Sequence, residues 1–431
     1  MPTVQLLLTG NELMSGDIVD SNSGMIARLL LEQGIPLERK ITLGDNLKAL
    51  SREIESISQH ADILIVNGGL GPTSDDLTAD ALANAAGVKT TEHADALAQI
   101  AAWCKKRGFD LNEPNRKQAR LPQDCEIIPN PVGSAPGFHL TLNHCLIICT
   151  PGVPGELKAM MNGTIIPLVT SRHSGQAPCR TQRFQVFGLG EATIQKLISG
   201  RLPDWPSDIQ IGYRASLPFI DIKLTTASTI EAAQVTRWLD KAKAVLGHHV
   251  IGDSGAPLSE IVINQLRSQG IRLATAESCT GGLIASQLTR IAGASDVFDA
   301  GFVTYSNAMK SAMLGVKPET LDTHGAVSEE VVNEMAMGAI DISGADLAIA
   351  VSGIAGPSGG TDDKPVGTVW IAWGSARKLN SCQLYIPGHR EFFQNIVTHI
   401  SLDLIRRLLL DIDEPPQYFF DRSPKTDHQK E

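Results

Sequence analysis

At 431 residues and 46.1 kDa the chain exceeds one ordinary domain of roughly 150 residues and divides into about three. Hydrophobic residues make up 42%, charged residues 19% and aromatics 5%, which excludes a coiled coil or a largely disordered chain and argues for the Ala/Leu/Ile/Val packing of α/β proteins. With 37 Lys+Arg against 47 Asp+Glu, the formal charge of −10 gives no electrostatic reason to expect a nucleic-acid partner.

In chain order, Val4–Leu8 reads as a first strand, because the N-terminus has neither a basic n-region nor a small-residue cleavage site. A helix around Ser23–Gln33, a strand at Arg39–Leu43, a helix from Leu47 and a strand at Ile63–Val66 follow. This alternation predicts a mostly parallel sheet with helices on both faces, running to about residue 170. The polar stretch from Ser171 to Pro178 reads as a linker. From Arg180 to Gly252 come strands at Gln182–Phe187, Ile209–Tyr213 and Phe219–Thr225, with helices at Glu191–Ile198 and Ile230–Leu246, the pattern of a small α+β module. The third segment, 255 to 411, opens with a helix at Leu258–Gln269 and a strand at Arg272–Ala276. Residues 413 to 431 are polar and read as a mobile tail. Apolar runs such as Ile63 to Val66 and Leu146 to Cys149 fall far short of the roughly 18 residues that span a bilayer, so no membrane partner and a cytoplasmic location are expected. Seven cysteines, at 104, 125, 145, 149, 179, 279 and 382, include no CxxC pair and read as reduced thiols. The adjacent His248 and His249 read as surface residues.

The stretch from Ala274 to Ala285, Ala-Thr-Ala-Glu-Ser-Cys-Thr-Gly-Gly-Leu-Ile-Ala, lies where a strand gives way to a helix. Ser278 is expected near a helix N-terminus, with free N–H groups from Cys279, Thr280 and Gly281 to receive an oxyanion or phosphate. The bland alternative is that Ser278 and Thr280 cap the helix and the glycines only turn the chain. A second strand-to-helix passage, Gly301 to Lys310, carries Val-Thr-Tyr-Ser-Asn ahead of Lys310. A buried lysine gives up its proton more readily and can activate a serine, and the Tyr305 hydroxyl can relay the proton. A solvated surface lysine is the competing reading. The Gly-rich loop from Ser352 to Thr368 lets a backbone approach a phosphate or sugar closely, and lacks the ending of a Walker A loop. Arg390 sits at a turn and suits phosphate, against a plain surface charge.

Earlier in the chain, Thr9-Gly10-Asn11-Glu12 follows the first strand and Asn67-Gly68-Gly69-Leu70-Gly71-Pro72-Thr73-Ser74-Asp75-Asp76 follows Ile63–Val66. Glycines ahead of a helix make an anion cradle, and carboxylates beside it can hold a divalent cation against phosphate oxygens. Asp75 and Asp76 are equally explained as acids favoured at a helix start.

Together, Ala-Glu-Ser-Cys-Thr-Gly-Gly, Val-Thr-Tyr-Ser-Asn-x-x-Lys, Gly-Ala-Val-Ser at 325–328, Ser-Gly-Ile-Ala-Gly-Pro-x-Gly-Gly and Lys-Pro-Val-Gly-Thr-Val resemble the C-terminal domain of the CinA family, a nicotinamide mononucleotide deamidase. The resemblance implies hydrolysis of that nucleotide to nicotinic acid mononucleotide and ammonia, with no cofactor. It implies Ser278 as nucleophile, Lys310 as general base, Tyr305 as assisting hydroxyl, and substrate contacts at Glu277, Thr280, Gly281, Gly282, Gly356, Gly359, Gly360 and Arg390. The oxyanion donors are expected at Thr280–Gly282. A second basic residue, frequent in the family, is Gln394 here. The N-terminal motifs, with Pro-Gly-Val-Pro-x-Glu-Leu at 151–157, resemble the molybdopterin-binding fold of full-length CinA proteins, which implies a metal-dependent ADP-ribose pyrophosphatase. Its nucleotide and metal site falls on Glu12, Asp20, Asp45, Gly68, Gly69, Gly71, Asp75 and Asp76, with Mg²⁺ or Co²⁺ on Asp45 and Asp76. Position 11, acidic in many relatives, is Asn. Two alternatives are that this domain binds a pterin or nucleotide without cleaving it, or that the protein serves as a non-enzymatic, competence-related interaction protein. The middle segment resembles the family's KH-like module; it has no Gly-x-x-Gly clamp with basic flanks, so a spacer or dimer element is expected and RNA binding is not. A homodimer follows by the same analogy.

Overall fold

The apolar runs at Val4–Thr9 and Ile63–Asn67 are buried along their whole length, so each successive side chain needs cover on one face or the other. Leu7, Leu64, Val66, Ile147 and Cys149 pack on one face with Leu50, Ile54 and Ile57 of the helix Leu47–Ser58. Leu6, Leu8, Ile63, Ile65, Leu146 and Ile148 pack on the other with Ile26 and Leu30 of the helix Asn22–Glu32. Strands buried on both faces are the mark of a parallel sheet between helical layers.

A computed structural model describes residues 2–172, 179–227, 229–253 and 255–423. The chain forms two compact units: one reaches to Thr181 and takes in Thr226–Ala232, and the other begins at Gln182. In the first, β1 (Val4–Thr9), β2 (Leu37–Leu43) and β3 (Ile63–Asn67) lead to a short ladder of β4 (Thr90–Glu92) and β5 (Arg120–Pro122), then to β6 (Glu126–Ile128), β7 (Gly137–Leu142) and β8 (Cys145–Thr150). The main sheet has the order β2-β1-β3-β8-β7-β6, parallel from β2 to β8 and antiparallel beyond. The chain moves from β1 to one side and then crosses to the other, which opens a crevice at the carboxyl ends of β1 and β3. The helix Ile166–Arg172 extends into the expected linker, whose residues 173–178 lie outside the described residues.

The second unit opens with β9 (Cys179–Phe187), β10 (Gln210–Ser216), β11 (Phe219–Ala227) and β12 (Val250–Asp253) in the order β10-β11-β9-β12, with helices Glu191–Arg201 and Ala232–Leu246 between them. This is the α+β module, with the element order βαββαβ. A second sheet follows, built from β13 (Leu273–Glu277), β14 (Phe298–Val303), β15 (Leu347–Gly353), β16 (Thr368–Ser375) and β17 (Lys378–Tyr385). Its order is β14-β13-β15-β16-β17, parallel across β14, β13 and β15, so a second crevice opens where these three end.

The helix Arg390–Leu409 carries a buried charge network that corrects two expectations. Asp403, 1% exposed, accepts from Arg406 Nε and Nη2 at 2.8 and 2.7 Å, from Arg407 Nε at 2.9 Å and from the Tyr418 hydroxyl at 2.9 Å. The segment expected to be a mobile tail from residue 413 instead forms a short helix, Gln417–Asp421, because Tyr418 finds this polar partner inside the core; residues 424–431 lie outside the described residues. Arg406 Nη2 also donates to the His248 carbonyl at 2.7 Å, and His249 Nδ1 lies 3.0 Å from the Phe187 carbonyl. His249 is thus half-buried and not a surface residue, and burial lowers its pKa. No helix among the described residues is long and apolar enough to cross a membrane. Asp403→Ala would strand two buried guanidinium groups and is expected to destabilise the second unit by about 3–5 kcal/mol; an unchanged urea midpoint for its unfolding would contradict this account.

Candidate active site

Three parallel strands end at one point of the second unit. Ser278 follows β13, Thr304 and Tyr305 follow β14, and Gly353 closes β15. A cavity of about 250 Å³ lies between these ends, lined by Ser278, Tyr305, Lys310, Ser352, Gly356 and Arg390 among others. Lys310 sits in the helix Asn307–Leu314, which Ser306 caps by accepting the Met309 N–H. One helical turn therefore turns the Lys310 side chain back toward the ends of β13 and β14.

Lys310 Nζ donates to the Thr304 carbonyl at 2.9 Å and lies 3.0 Å from Ser278 Oγ. Lys310 is 1% exposed and both of its partners are neutral. Burial therefore pushes its ammonium below the usual lysine value of 10.5, against the pull of the Cys279 sulfur. The Cys279 thiol, itself pushed up to about 12 by burial, stays protonated and inert. A neutral amine in this position holds one hydrogen on Thr304 and turns its lone pair to the serine hydroxyl, the arrangement of an activated nucleophile.

The helix after Ser278 begins at Leu283, so Ser278 lies in the turn between β13 and that helix, five residues before its first position. The expected oxyanion donors are also partly spent. Gly281 N–H donates to the Ser278 carbonyl at 3.2 Å, and Gly282 N–H to Glu277 Oε2 at 3.0 Å. Cys279, the residue after Ser278, lines the cavity.

Of the predicted substrate contacts, Gly356, Gly359 and Arg390 line the cavity, whereas Glu277, Thr280, Gly281, Gly282 and Gly360 do not. Glu277 is fully buried and bonded to the turn after it; Gly360 lies so close to Val366 N that a Cβ would meet it at 2.7 Å. Tyr305 is 63% exposed, and its hydroxyl accepts from Arg390 Nη1 at 3.3 Å, so in this structure it stands at the cavity mouth with the arginine and not beside Lys310. Arg390, at the first position of its helix, also donates to the Gly356 carbonyl. Residues that sequence reasoning did not single out are Asn307 and Ser352, which line the cavity, and the Thr304 carbonyl. Ser352 Oγ donates to the Ala326 carbonyl at 2.6 Å, which holds the Gly-Ala-Val-Ser loop over the site.

In the first unit a cavity of about 590 Å³ occupies the crevice at the ends of β1, β3 and β8. All eight predicted residues, Glu12, Asp20, Asp45, Gly68, Gly69, Gly71, Asp75 and Asp76, line it. Asn22 Nδ2 donates to Asn67 Oδ1 at 3.0 Å and to the Gly152 carbonyl at 2.6 Å, stitching the strand ends together. The carboxylates are largely occupied by their own loops. Asp45 accepts from the Thr9 hydroxyl at 2.7 Å and from Asn11 N–H at 2.9 Å, and Asp76 accepts from Thr73 N–H at 2.8 Å. Asp20 is drawn up by burial, but bonds from Lys40 and Ser23 outweigh this and hold it below the usual range, so it reads as an ion-pair partner and not a metal ligand. Among the described residues no three His, Cys, Asp or Glu side chains come together to hold a metal. Glu156, missed from the sequence although its motif was noted, lines the same cavity and accepts from Asn130 Nδ2 at 2.7 Å.

Residues 255–409 match the family model for the CinA C-terminal domain, and residues 5–171 match that for a probable molybdopterin binding domain. A CinA-like protein of Colwellia psychrerythraea is 50% identical over 425 residues, 98% of each chain. The chain belongs to the CinA family. A CinA-like protein of Shewanella loihica is 40% identical over 96% of this chain and 99% of its own. The crystal structure of a competence-damaged protein (CinA) superfamily protein from Klebsiella pneumoniae is 40% identical and covers 36% of this chain and 96% of its own, with a TM-score of 0.35. This CinA protein therefore carries a molybdopterin-binding-type α/β domain ahead of its α+β module and CinA domain.

A lysine acting as base on Ser278 does so in its neutral form, so labelling of Ser278 by a sulfonyl fluoride is expected to fall as pH falls through an apparent pKa below 10.5. Lys310→Arg should remain unlabelled throughout, since a guanidinium keeps its proton. Labelling of Lys310→Arg at the wild-type rate would remove Lys310 from the site.

Proposed function

We propose that the second unit hydrolyses the carboxamide of nicotinamide mononucleotide, giving nicotinic acid mononucleotide and ammonia, a step of pyridine-nucleotide salvage. The observation that supports it is the 3.0 Å approach of a buried Lys310 amine to Ser278 Oγ. Lys310 takes the hydroxyl proton as Oγ adds to the amide carbon, and the Cys279 N–H meets the developing oxyanion. The ammonium then returns that proton to the departing nitrogen, ammonia leaves, and water releases the acyl group from Ser278 by the same exchange. Arg390, with two of its donors already set on Tyr305 and Gly356, supplies the fixed positive charge for the phosphate. Ser278→Ala should release no ammonia while keeping its fold. Arg390→Ala should raise KM about 10- to 100-fold with a smaller change in kcat. Ammonia release by purified Ser278→Ala would refute the assignment.

For the first unit the reading is an ADP-ribose site, with the Gly68–Gly71 turn against the pyrophosphate. The donor set fits a divalent cation only in company with a phosphate, since Mg²⁺ is commonly held by one or two carboxylates plus substrate oxygens. Asp45 and Asp76 would hold it, and it would neutralise phosphate charge in a cavity lined by six carboxylates, Glu12, Asp20, Asp45, Asp75, Asp76 and Glu156. ADP-ribose with Mg²⁺ or Co²⁺ is expected to yield AMP, and Asp76→Asn to slow its release. Saturable binding without AMP would leave this unit a binding domain.

A further inference from the structure

β13 ends on a carboxylate with no exposure at all. Glu277 Oε2 accepts from the Thr280 hydroxyl at 2.7 Å and from the N–H groups of Gly282 and Ile284 at 3.0 Å each, and Oε1 accepts from Ala285 N–H at 2.8 Å. Two of these donors are among the N–H groups that a helix start leaves without an internal partner, so Glu277 fastens the first turn of the helix Leu283–Thr289 to the end of its own strand. Only the segment from Ser278 to Gly281 lies between. It too is held at each peptide: Ser278 N–H donates to the Val351 carbonyl at 3.0 Å, Gly281 N–H closes on the Ser278 carbonyl, and Gln394 Nε2 donates to the Cys279 carbonyl at 2.9 Å. Strand, neighbouring strand and the helix Arg390–Leu409 thus converge on four residues.

We propose that Glu277 and Gln394 are positioning residues for Ser278, an inference that rests on the reading of Ser278 as the nucleophile. Neither lines the cavity, so neither meets substrate. Glu277 fixes the far end of the turn, and Gln394 fixes the peptide that follows Cys279. With the Ser278 carbonyl taken by Gly281, the planar trans peptide turns the Cys279 N–H to the opposite side. Together these bonds set the angle at which Ser278 Oγ meets Lys310 Nζ and the place where an oxyanion is received. The pattern has a chemical reason. A serine attacking an amide tolerates little misplacement, an ångström being worth about 100-fold in rate, and a carboxylate bonded to the turn by four donors from Thr280 to Ala285 holds it more rigidly than a single cap.

The test uses Glu277→Gln, Gln394→Leu and Gln394→Lys in the full chain. Glu277→Gln keeps the shape but sets an amide N–H against backbone N–H groups. Gln394→Leu removes the grip on Cys279, and Gln394→Lys restores a donor. Two quantities are read: the rate at which a sulfonyl fluoride labels Ser278, and kcat and KM for nicotinamide mononucleotide. Labelling and kcat should fall together, about 10- to 100-fold for Glu277→Gln and about 3- to 10-fold for Gln394→Leu, with KM within about twofold. Gln394→Lys should recover most of the loss. A lower melting temperature with labelling rate and kcat per folded molecule unchanged would reduce both residues to structural supports and overturn the proposal. If Glu277→Gln does not fold, the Gln394 pair decides alone. If the wild-type chain labels at Ser278 and the variants label equally, the positioning role fails while the nucleophile stands; if the wild-type chain neither labels nor releases ammonia, the nucleophile reading falls and takes this inference with it.

Discussion

An amine with almost no exposure to water, suspended between a backbone carbonyl and a serine hydroxyl, is the constraint around which the second unit is organised. A buried ammonium without a carboxylate partner is costly, and that cost lowers the pKa of Lys310 below the usual lysine value. The fold thus favours the neutral form of a residue that in water would be a cation. This requires β13, β14 and the helix Asn307–Leu314 to meet at one point, and the capping of that helix by Ser306, the turn at Ser278 and the register of β13 against β14 all serve the meeting.

Both units use the same topological device to build cavities of different lining. In each, parallel strands diverge to either side of a central one, and the crevice at their carboxyl ends collects polar residues that the apolar strands deliver there. The linings then differ in charge. The first cavity is walled by carboxylates and glycines. The second has no carboxylate in its lining and carries the cation Arg390 at its wall.

The strands β1 and β3, the helix Leu258–Gln269 and the pairing of a serine turn with a lysine helix were legible because their signals are local: an apolar run, a 3.6-residue period, a strand passing into a helix. The role of Glu277 was not. Its partners lie three to eight residues ahead, in a turn that only the positive φ of Gly281 and Gly282 makes, so the sequence shows an acid beside a serine and suggests a substrate contact. Gln394 was noticed as a missing cation, but its donor reaches a carbonyl 115 residues away, and no pattern of spacing encodes that. The C-terminal segment looked unstructured because its composition is polar; one tyrosine with a buried acceptor decided otherwise.

The helix Arg390–Leu409 is a single rod of 20 residues, about 30 Å long. Its first turns present Arg390 and Gln394 to the reactive centre, and its far half presents Asp403, Arg406 and Arg407 to the α+β module and the C-terminal segment. Each added residue rotates an α-helix by about 100°. An insertion or deletion anywhere between Gln394 and Asp403 would therefore swing one set of contacts out of register with the other. The residue count of this stretch is therefore as much a part of the design as the side chains it carries.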